Sequence, residues 1–435
     1  MQIVNIVLID DINMPTMGWS ELFSRGIPVS TIEVTRSQPN GSAYGRKEAH
    51  PDEILVGVAQ GTPCGEYMRR YWQPVGVSSS LTSDRPQKVK ILGEELVLFR
   101  DKTGRAGLLY PRCMHRGTTL YYGKIEEKGL RCCYHGWLFD VEGNCLEQPC
   151  EPDGGKNKEN ARQPWYPVAE RYGLVFAYMG PQDKMPVLPK YDIFENLTND
   201  EEFLVEGTGY FGYGAPVADP HVGFHWLQNW ENIVDPYHTY VLHSTFSAIQ
   251  FSDPLKVAPK VKFENIPGGV IYRAFRGLDD GRMMERVNSA LLPNVSVIPE
   301  ISAAEGRSIM MGWHVAVDDT TFRAFLVRKI KKGTTYFTGI KAHNGKIWTE
   351  ATEEERRDFP SDYEAQSGQG PVTLHSEEHL ATSDLGIVML RRKMKQQIDV
   401  VAKGGNPEGA IYDEGQALVT TLSGNYYTAP QKAAS

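Results

Sequence analysis

Two pairs of cysteine and histidine residues lie close together in the first half of the chain. Cys113 and His115 form a Cys-x-His pair, and Cys132 and His135 form a Cys-x-x-His pair. Two thiolates and two imidazoles on two short loops can converge on one metal centre. This donor set suits a tetrahedral structural zinc ion. It equally suits a two-iron, two-sulfur cluster in which two histidines bind one of the irons.

The residues that flank these pairs favour the cluster. Segments 110–120 and 131–137 closely resemble the ferredoxin-like domain of the Rieske non-haem iron oxygenases. The resemblance implies that Cys113 and Cys132 bind the inner iron, and that the histidines bind the outer one. A structural zinc ion is the alternative. Four cysteines are not assigned as ligands: Cys64, Cys133, Cys145 and Cys150.

A second pair of histidines occurs within segment 229–243. Asp235 and Pro236 predict the start of a helix, with Asp as the N-cap and Pro at the first helical position. His238 and His243 are five residues apart, which is about 140° around an ideal helix. They can therefore share one metal ion only if the helix is distorted.

The whole of segment 229–243 resembles the mononuclear iron motif of the same oxygenases. The resemblance implies that His238 and His243 bind the iron. It also implies that Asp235 is a catalytic residue rather than a ligand, which hydrogen-bonds to His238 and bridges toward His135 of a neighbouring subunit. A helix cap alone is the alternative role for Asp235. Asn232 is expected to bring an amide close to the iron.

A third ligand must come from elsewhere, because two histidines and one carboxylate form the usual non-haem Fe(II) site with open positions for oxygen. Segment 378–392 resembles the C-terminal region of the phthalate-dioxygenase-like branch, in which Asp384 matches the iron carboxylate. The alternative is an acidic residue in the first turn of a helix, which the helix dipole favours. Glu377 and Glu378 are the next candidates.

Two further patterns suggest other chemistry. Residues 207–212 match the dinucleotide-binding glycine pattern, but Pro216 and Pro220 follow where its helix should run. Residues 375–379 match the inverted zinc-protease pattern His-x-x-Glu-His, so a zinc hydrolase is an alternative. No other segment offers a nicotinamide or flavin site, and we expect NAD(P)H to act only through a separate reductase.

The order of elements predicts an α+β protein of 435 residues, which the resemblance divides into three parts. Residues 1–53 form an N-terminal extension, and the resemblance implies an all-β Rieske 2Fe-2S domain at 54–185 and a catalytic domain for mononuclear iron at 186–435. It also implies that the catalytic domain has an antiparallel sheet flanked by helices, of the helix-grip type. The pattern predicts a hairpin around 267–269, strands at 310–317 and 322–330, and a long helix at 383–401.

Composition excludes several classes of function. Lys+Arg number 46 and Asp+Glu 54, so the net charge of −8 provides no overall basic footprint for nucleic acid. No apolar run approaches the ~20 residues of a membrane helix. The N-terminus lacks the basic residues and the cleavage site of a signal peptide. We therefore expect a cytoplasmic protein that binds neither nucleic acid nor membranes.

The resemblance covers most of residues 55–402 and points to the phthalate dioxygenase and dehydrodivanillate O-demethylase group, whose oxygenases assemble from alpha subunits only. It implies a terminal oxygenase that uses a 2Fe-2S cluster, Fe(II) and O2, receives electrons from a reductase or ferredoxin, and forms a homotrimer or a dimer of trimers. We expect O-demethylation of a methoxylated, lignin-derived aromatic acid such as a biaryl. The alternative is ring hydroxylation or cis-dihydroxylation of an aromatic carboxylate such as a phthalate.

Basic residues near the predicted cluster suggest a docking surface for an acidic electron donor. They are Arg112, Arg116, Lys124 and Arg131. An ordinary solvated face is an equally good interpretation. A pure electron carrier that has lost its mononuclear site is a further alternative, which the presence of His238, His243 and Asp384 opposes.

Overall fold

The computed structural model describes residues 46–156, 158–209, 221–247, 251–334 and 350–429. The chain forms two compact units, Met1–Glu48 and Ala49–Ser435. Most of the predicted extension lies outside the described residues. All of the strands and helices given below belong to the second unit.

The first half of this unit contains three small antiparallel sheets, ordered β2-β3-β4-β9, β5-β6-β7-β8 and β1-β11-β10. Two helices, α1 (Glu53–Val56) and α2 (Pro63–Met68), precede them. The strands are β1 (Trp72–Val77), β2 (Gln87–Ile91), β3 (Glu94–Arg100), β4 (Ala106–Leu109), β5 (Lys124–Glu126), β6 (Gly129–Arg131), β7 (Leu138–Phe139), β8 (Cys145–Glu147), β9 (Trp165–Tyr166), β10 (Val168–Arg171) and β11 (Leu174–Tyr178). Every residue of β11 is buried, as expected for an apolar run at the centre of its sheet.

The second half is built on a nine-stranded antiparallel sheet. Its main path runs β13-β20-β19-β17-β16-β15-β14, and β22 joins it by pairing with β16 and β18. The strands are β13 (Glu201–Gly209), β14 (Lys260–Ile266), β15 (Gly269–Gly277), β16 (Met283–Leu291), β17 (Val295–Val297), β18 (Gly306–Arg307), β19 (Met310–Ala316), β20 (Phe322–Lys331) and β22 (Gly424–Thr428). Two short strands, β12 (Lys190–Tyr191) and β21 (Leu418–Val419), form a separate parallel pair.

Five helices accompany this sheet in the described residues. They are α3 (Trp226–Glu231), α4 (Tyr237–Val241), α5 (Glu353–Asp358), α6 (Asp362–Ser367) and α7 (Leu385–Ala402). Helix α3 packs on β19, and α7 packs on α2 and β15. The predicted hairpin, the two predicted strands and the long helix are confirmed to within a few residues. None of the described helices is both long enough and apolar enough to cross a lipid bilayer.

One hydrophobic core joins the two halves. Leu98 and Phe176 from the first half belong to the same buried cluster as Trp230 and Trp313 from the second. The backbone amide of Leu92 also donates to the carbonyl of Ala316 at 3.0 Å. The predicted fold class, a β-rich region followed by an antiparallel sheet with helices, is confirmed. The domain boundary at residue 185 stays a prediction.

Candidate functional site

Two loops of similar construction carry the predicted cluster ligands. In each loop a glycine four residues after the cysteine donates its amide to the cysteine carbonyl: Gly117 to Cys113 at 2.8 Å and Gly136 to Cys132 at 3.1 Å. Both glycines have a positive φ, 75° and 73°, which glycine adopts without steric cost. Each loop therefore folds back on itself and brings its cysteine and its histidine to the same end.

The predicted ligand side chains face one another in pairs across these two loops, thiol against thiol and imidazole against imidazole. Cys113 and Cys132 are buried, and the rings of His115 and His135 lie 4.6 Å apart between centroids. Burial raises the pKa of the Cys113 thiol to about 12, so a metal that binds this sulfur displaces a proton from it. Cys133 is exposed. Inner thiols and outer, half-buried imidazoles fit a cluster of the Rieske type.

A second site lies between the helices of the second half. The Nε2 atom of His243 is 3.1 Å from one carboxylate oxygen of Asp362, and the Nε2 atom of His238 is 3.6 Å from the other. One ligand atom from each of these residues lies within 4.8 Å of the other two. Two imidazoles and one carboxylate on a common face suit a non-haem Fe(II) ion and leave open positions for oxygen.

The helix that carries the two histidines is distorted, as their spacing requires. Helix α4 holds His238 and passes directly into a π-helical segment, Leu242–Phe246, that holds His243. The amide of Ser247 donates to the carbonyl of Leu242 at 2.9 Å, an i→i+5 hydrogen bond. The wider π-helical turn brings residues five apart close to one face. The two rings are consequently 5.4 Å apart between centroids.

Asp362 is the first residue of α6 and is held there from both sides. A capping box between Ser361 and Glu364 begins the helix. The hydroxyl of Ser247 donates to the carbonyl of Pro360 at 2.5 Å, which ties the end of the π-helical segment to the start of α6. The carboxylate of Asp362 is thereby directed at the histidines.

Electrostatics keep this carboxylate ionised. Burial alone raises the pKa of the Asp362 carboxyl, but the imidazoles of His243 and His238 outweigh burial and hold this pKa well below its usual range. Burial lowers the pKa of His238, yet the carboxylates of Asp235 and Asp362 reverse this and raise it. A divalent cation therefore competes with a proton at His238.

The other two predicted residues of this site lie against the same histidine. The Nδ2 group of Asn232 donates to Asp362 Oδ1 at 3.1 Å and lies 3.3 Å from His238 Nε2. Asp235 accepts from the backbone amides of Tyr237 and His238, and its Oδ2 atom is 3.5 Å from His238 Nδ1. Asp235 thus caps α4 and also faces the ring of His238.

Comparison with known proteins identifies the family. The model of the Rieske [2Fe-2S] domain matches residues 71–167. The chain is 61% identical over 402 residues to the phenoxybenzoate dioxygenase subunit alpha of Ectopseudomonas oleovorans, covering 92% of this chain and 98% of the relative. The chain belongs to the Rieske non-haem iron oxygenases. As a member, the oxygenase carries a Rieske 2Fe-2S cluster and a mononuclear iron and uses O2, so a structural zinc ion is excluded as the identity of the first site.

Two further relatives span most of the oxygenase. A tert-butanol monooxygenase / tert-amyl alcohol desaturase oxygenase subunit of Aquincola tertiaricarbonis is 37% identical, covering 85% of this chain and 80% of the relative. A 5,5'-dehydrodivanillate O-demethylase oxygenase subunit of Sphingobium sp. is 30% identical, with 84% of each covered. The solved structure of dicamba monooxygenase has the same fold at 17% identity, with a TM-score of 0.56 over 77% of this chain and 99% of that one.

The prediction of Asp384 as the third iron ligand needs correction. The carboxylate that meets His238 and His243 belongs to Asp362, and Asp384 is not in that group. Asp384 Oδ2 instead accepts from the backbone amide of Ala381 at 2.7 Å, directly before α7. Its position at a helix start is the alternative role that the sequence allowed. Sequence reasoning missed Asp362, although a Ser-x-x-Glu capping box marks the start of its helix.

Glu378, the next candidate for a ligand, takes part in a buried ion pair. Arg391 on α7 binds both Glu231 and Glu378 in bidentate fashion, with Nη2 2.6 Å from Glu231 Oε2 and 2.9 Å from Glu378 Oε1. Glu231 ends α3 and directly precedes Asn232. The guanidinium therefore fastens α7 to the turn that leads into the iron site.

The remaining patterns have structural explanations. Gly207 and Gly209 both lie within β13, and Gly209 pairs with Ala324 on β20, so they form no phosphate-binding turn. Residues 210–212 lie outside the described part of the chain. His375 accepts from the backbone amide of Asp52 in a short 3₁₀ turn rather than on a helix. In the expected docking surface, Arg131 pairs with Glu126 and Glu147, which leaves less basic charge for a donor than predicted.

Replacement of Arg391 by Met should strongly destabilise the protein. The substitution leaves Glu231, 9% exposed at its side chain, as a buried carboxylate without its cation. Loss of one partner from a buried pair costs about 3–5 kcal/mol. Urea unfolding should show the loss, and Arg392→Met, which changes the exposed neighbour on the same helix, should unfold like the wild type. Equal unfolding midpoints for the two variants would contradict the assignment.

Two isosteric substitutions test which aspartate binds iron. Asp362→Asn should reduce the iron content from about three to about two atoms per chain, because only the cluster irons remain. Asp384→Asn should keep the wild-type iron content. Elemental analysis measures the iron, and the visible absorption of the cluster reports whether the first site is intact. Retention of all the iron in Asp362→Asn together with its loss in Asp384→Asn would restore the original prediction.

Proposed function

We propose that this protein is the terminal oxygenase of a multicomponent system that dioxygenates an aromatic carboxylate. The observation that carries the proposal is the convergence of His238, His243 and Asp362 in a chain that also has the Rieske loops. The pure electron carrier is disfavoured, because such a protein would not need this second ligand set. Rieske oxygenase alpha subunits receive their electrons from a reductase or a ferredoxin.

We assign the ligands as follows. Cys113, Cys132, His115 and His135 hold the cluster, and His238, His243 and Asp362 hold the iron. When bound, the two centres supply one-electron transfer and oxygen activation. The surrounding side chains orient the ligands and keep water away from the iron site.

The surrounding side chains prepare the iron site. Asn232 holds Asp362 Oδ1, which leaves the second oxygen of the carboxylate facing His243. Asp235 orients the imidazole of His238 from its opposite edge. His243 is fully buried at its side chain, and those of His238 and Asp362 are 17% and 14% exposed, so bulk water has little access. Exclusion of water from such a site limits side reactions.

The similarity to phenoxybenzoate dioxygenase supports the substrate class and the reaction. That relative is 61% identical, whereas the O-demethylase is 30% identical. We therefore favour dioxygenation of a carboxylated aromatic compound over the O-demethylation expected from the sequence. O-demethylation is the second candidate, because the O-demethylase spans 84% of this chain.

We also propose a homotrimer in which Asp235 links His238 to the cluster histidine of a neighbouring subunit. The Asp235 side chain supports this, since it is 27% exposed while it contacts His238. A half-buried carboxylate at this position can accept a hydrogen bond from a neighbour without leaving its own histidine.

Asp235→Ala should abolish turnover while both metal sites stay loaded. Asp235→Asn keeps an oxygen for the helix cap but cannot accept a second hydrogen bond from a neighbouring histidine at its amide nitrogen, so it should be nearly as inactive. Iron content, cluster absorption and the rate of oxygen uptake measure the outcome. Full activity in Asp235→Asn would refute the link between subunits.

A substrate panel with NADH and a broad-specificity reductase tests the reaction. Phenoxybenzoate should stimulate oxygen uptake, and both atoms of ¹⁸O₂ should enter the oxidised product. Methoxybenzoates should release little formaldehyde. Formaldehyde equal to the oxygen consumed, with no uptake on phenoxybenzoate, would favour O-demethylation. Uptake on tert-butanol alone would reject an aromatic substrate.

A further inference from the structure

A chain of buried polar side chains runs from the sheet to helix α6. The Nδ1 atom of His314 on β19 lies 2.6 Å from Asn229 Oδ1 on α3, and Asn229 Nδ2 donates to Gln366 Oε1 on α6 at 2.8 Å. On the other side of the ring, His314 Nε2 lies 3.0 Å from the hydroxyl of Ser296. All four side chains are at least 95% buried.

The direction of these hydrogen bonds is determined. Burial lowers the pKa of His314 to about 3, so its ring is neutral. Nδ1–H donates to the amide oxygen of Asn229, because that oxygen can only accept. Nε2 then accepts from Ser296. Each side chain thus holds the next in one orientation, and the successive hydrogen bonds strengthen one another by polarisation.

Gln366 is one helical turn after Asp362, on the same face of α6. The C-terminal end of the helix is fixed as well, because the side chain of Gln228 donates to the carbonyls of Gln366 and Gly370 at 2.8 and 3.1 Å. The two hydrogen bonds from Gln228 stabilise the end of α6, and the capping box stabilises its start. A shift of α6 would leave several buried polar groups unpaired, which is costly.

The sheet end of the chain is also firmly held. His314 lies on β19, which pairs with β17 on one side and β20 on the other. Its backbone carbonyl accepts from Asn294 Nδ2 at 2.9 Å, and the same amide group donates to Gln73 on β1 at 2.8 Å. A continuous series of hydrogen bonds thereby connects helix α6 to the centre of the large sheet and to a strand of the first half.

We infer that Gln366 and Asn229 are positioning residues for the Asp362 carboxylate, so that iron affinity depends on a buried hydrogen bond that does not touch the iron site. This inference rests on the proposed function, in which Asp362 is the third iron ligand. Loss of interactions that orient metal ligands commonly weakens metal binding about 10–100-fold. A bond that served only the stability of the core would leave iron affinity unchanged.

Gln366→Met in the full chain with its cluster loaded tests the inference. Met retains the shape of Gln but lacks the amide oxygen that accepts from Asn229, so the dissociation constant for Fe(II), measured by chelator competition, should rise about 10–100-fold. Gln366→Glu should stay close to wild type, because a carboxyl oxygen still accepts from Asn229. Asn229→Leu removes the same bond from α3 and serves as the second variant should Gln366→Met not fold.

Gln397→Met is the matched control. Gln397 is a buried glutamine on α7 whose amide makes two hydrogen bonds, both to Glu408. It should lower the urea midpoint but leave the Fe(II) dissociation constant at the wild-type value. Wild-type affinity in Gln366→Met, or an equal loss in Gln397→Met, would overturn the inference. Asp362→Asn separates the two proposals: if that variant retains its iron, the ligand assignment has failed rather than the positioning role.

Discussion

An ionised carboxylate held against two imidazoles inside the protein is the constraint on which the catalytic half depends. A buried carboxylate without partners would take up a proton or stay in solvent. Asp362 remains ionised because His243 and His238 lie against its two oxygens, and because Asn232 donates to one of them. The same contacts define the proposed iron site, so its electrostatics and its geometry have one cause.

Three separate parts of the chain satisfy this constraint. A π-helical segment lets His238 and His243 share a face, and the capping box at Ser361 starts α6 so that Asp362 faces them. Arg391 fastens α7 to the turn before Asn232 through two carboxylates. The large sheet packs against helices α3 and α7. The capping box and the Arg391 ion pairs place polar groups inside the protein, where hydrogen bonds fix their positions.

The sequence was most informative where the predicted ligands lie close together along the chain. Cys113, His115, Cys132 and His135 sit on two short loops, and a glycine four residues after each cysteine closes the loop locally. The hairpin around residue 268 and the helix Leu385–Ala402 were predictable for the same reason, since period and turn residues are local signals. The sequence also indicated that the helix with His238 and His243 must be distorted to bring both to one metal ion. It did not indicate that a π-helical segment would produce this distortion.

Sequence by itself indicated the family and the two kinds of metal chemistry, and it predicted the histidines of both sites. Only the tertiary structure brought Asp362, rather than the predicted Asp384, to His238 and His243. Both are acidic residues at helix starts, and nothing local distinguishes a carboxylate that caps its own backbone from one that faces distant histidines. The difference arises because α6 is tied through Gln366 and Asn229 to β19, whereas Asp384 turns back to Ala381. Contacts between segments so far apart in the chain are set by packing, which a linear pattern does not contain.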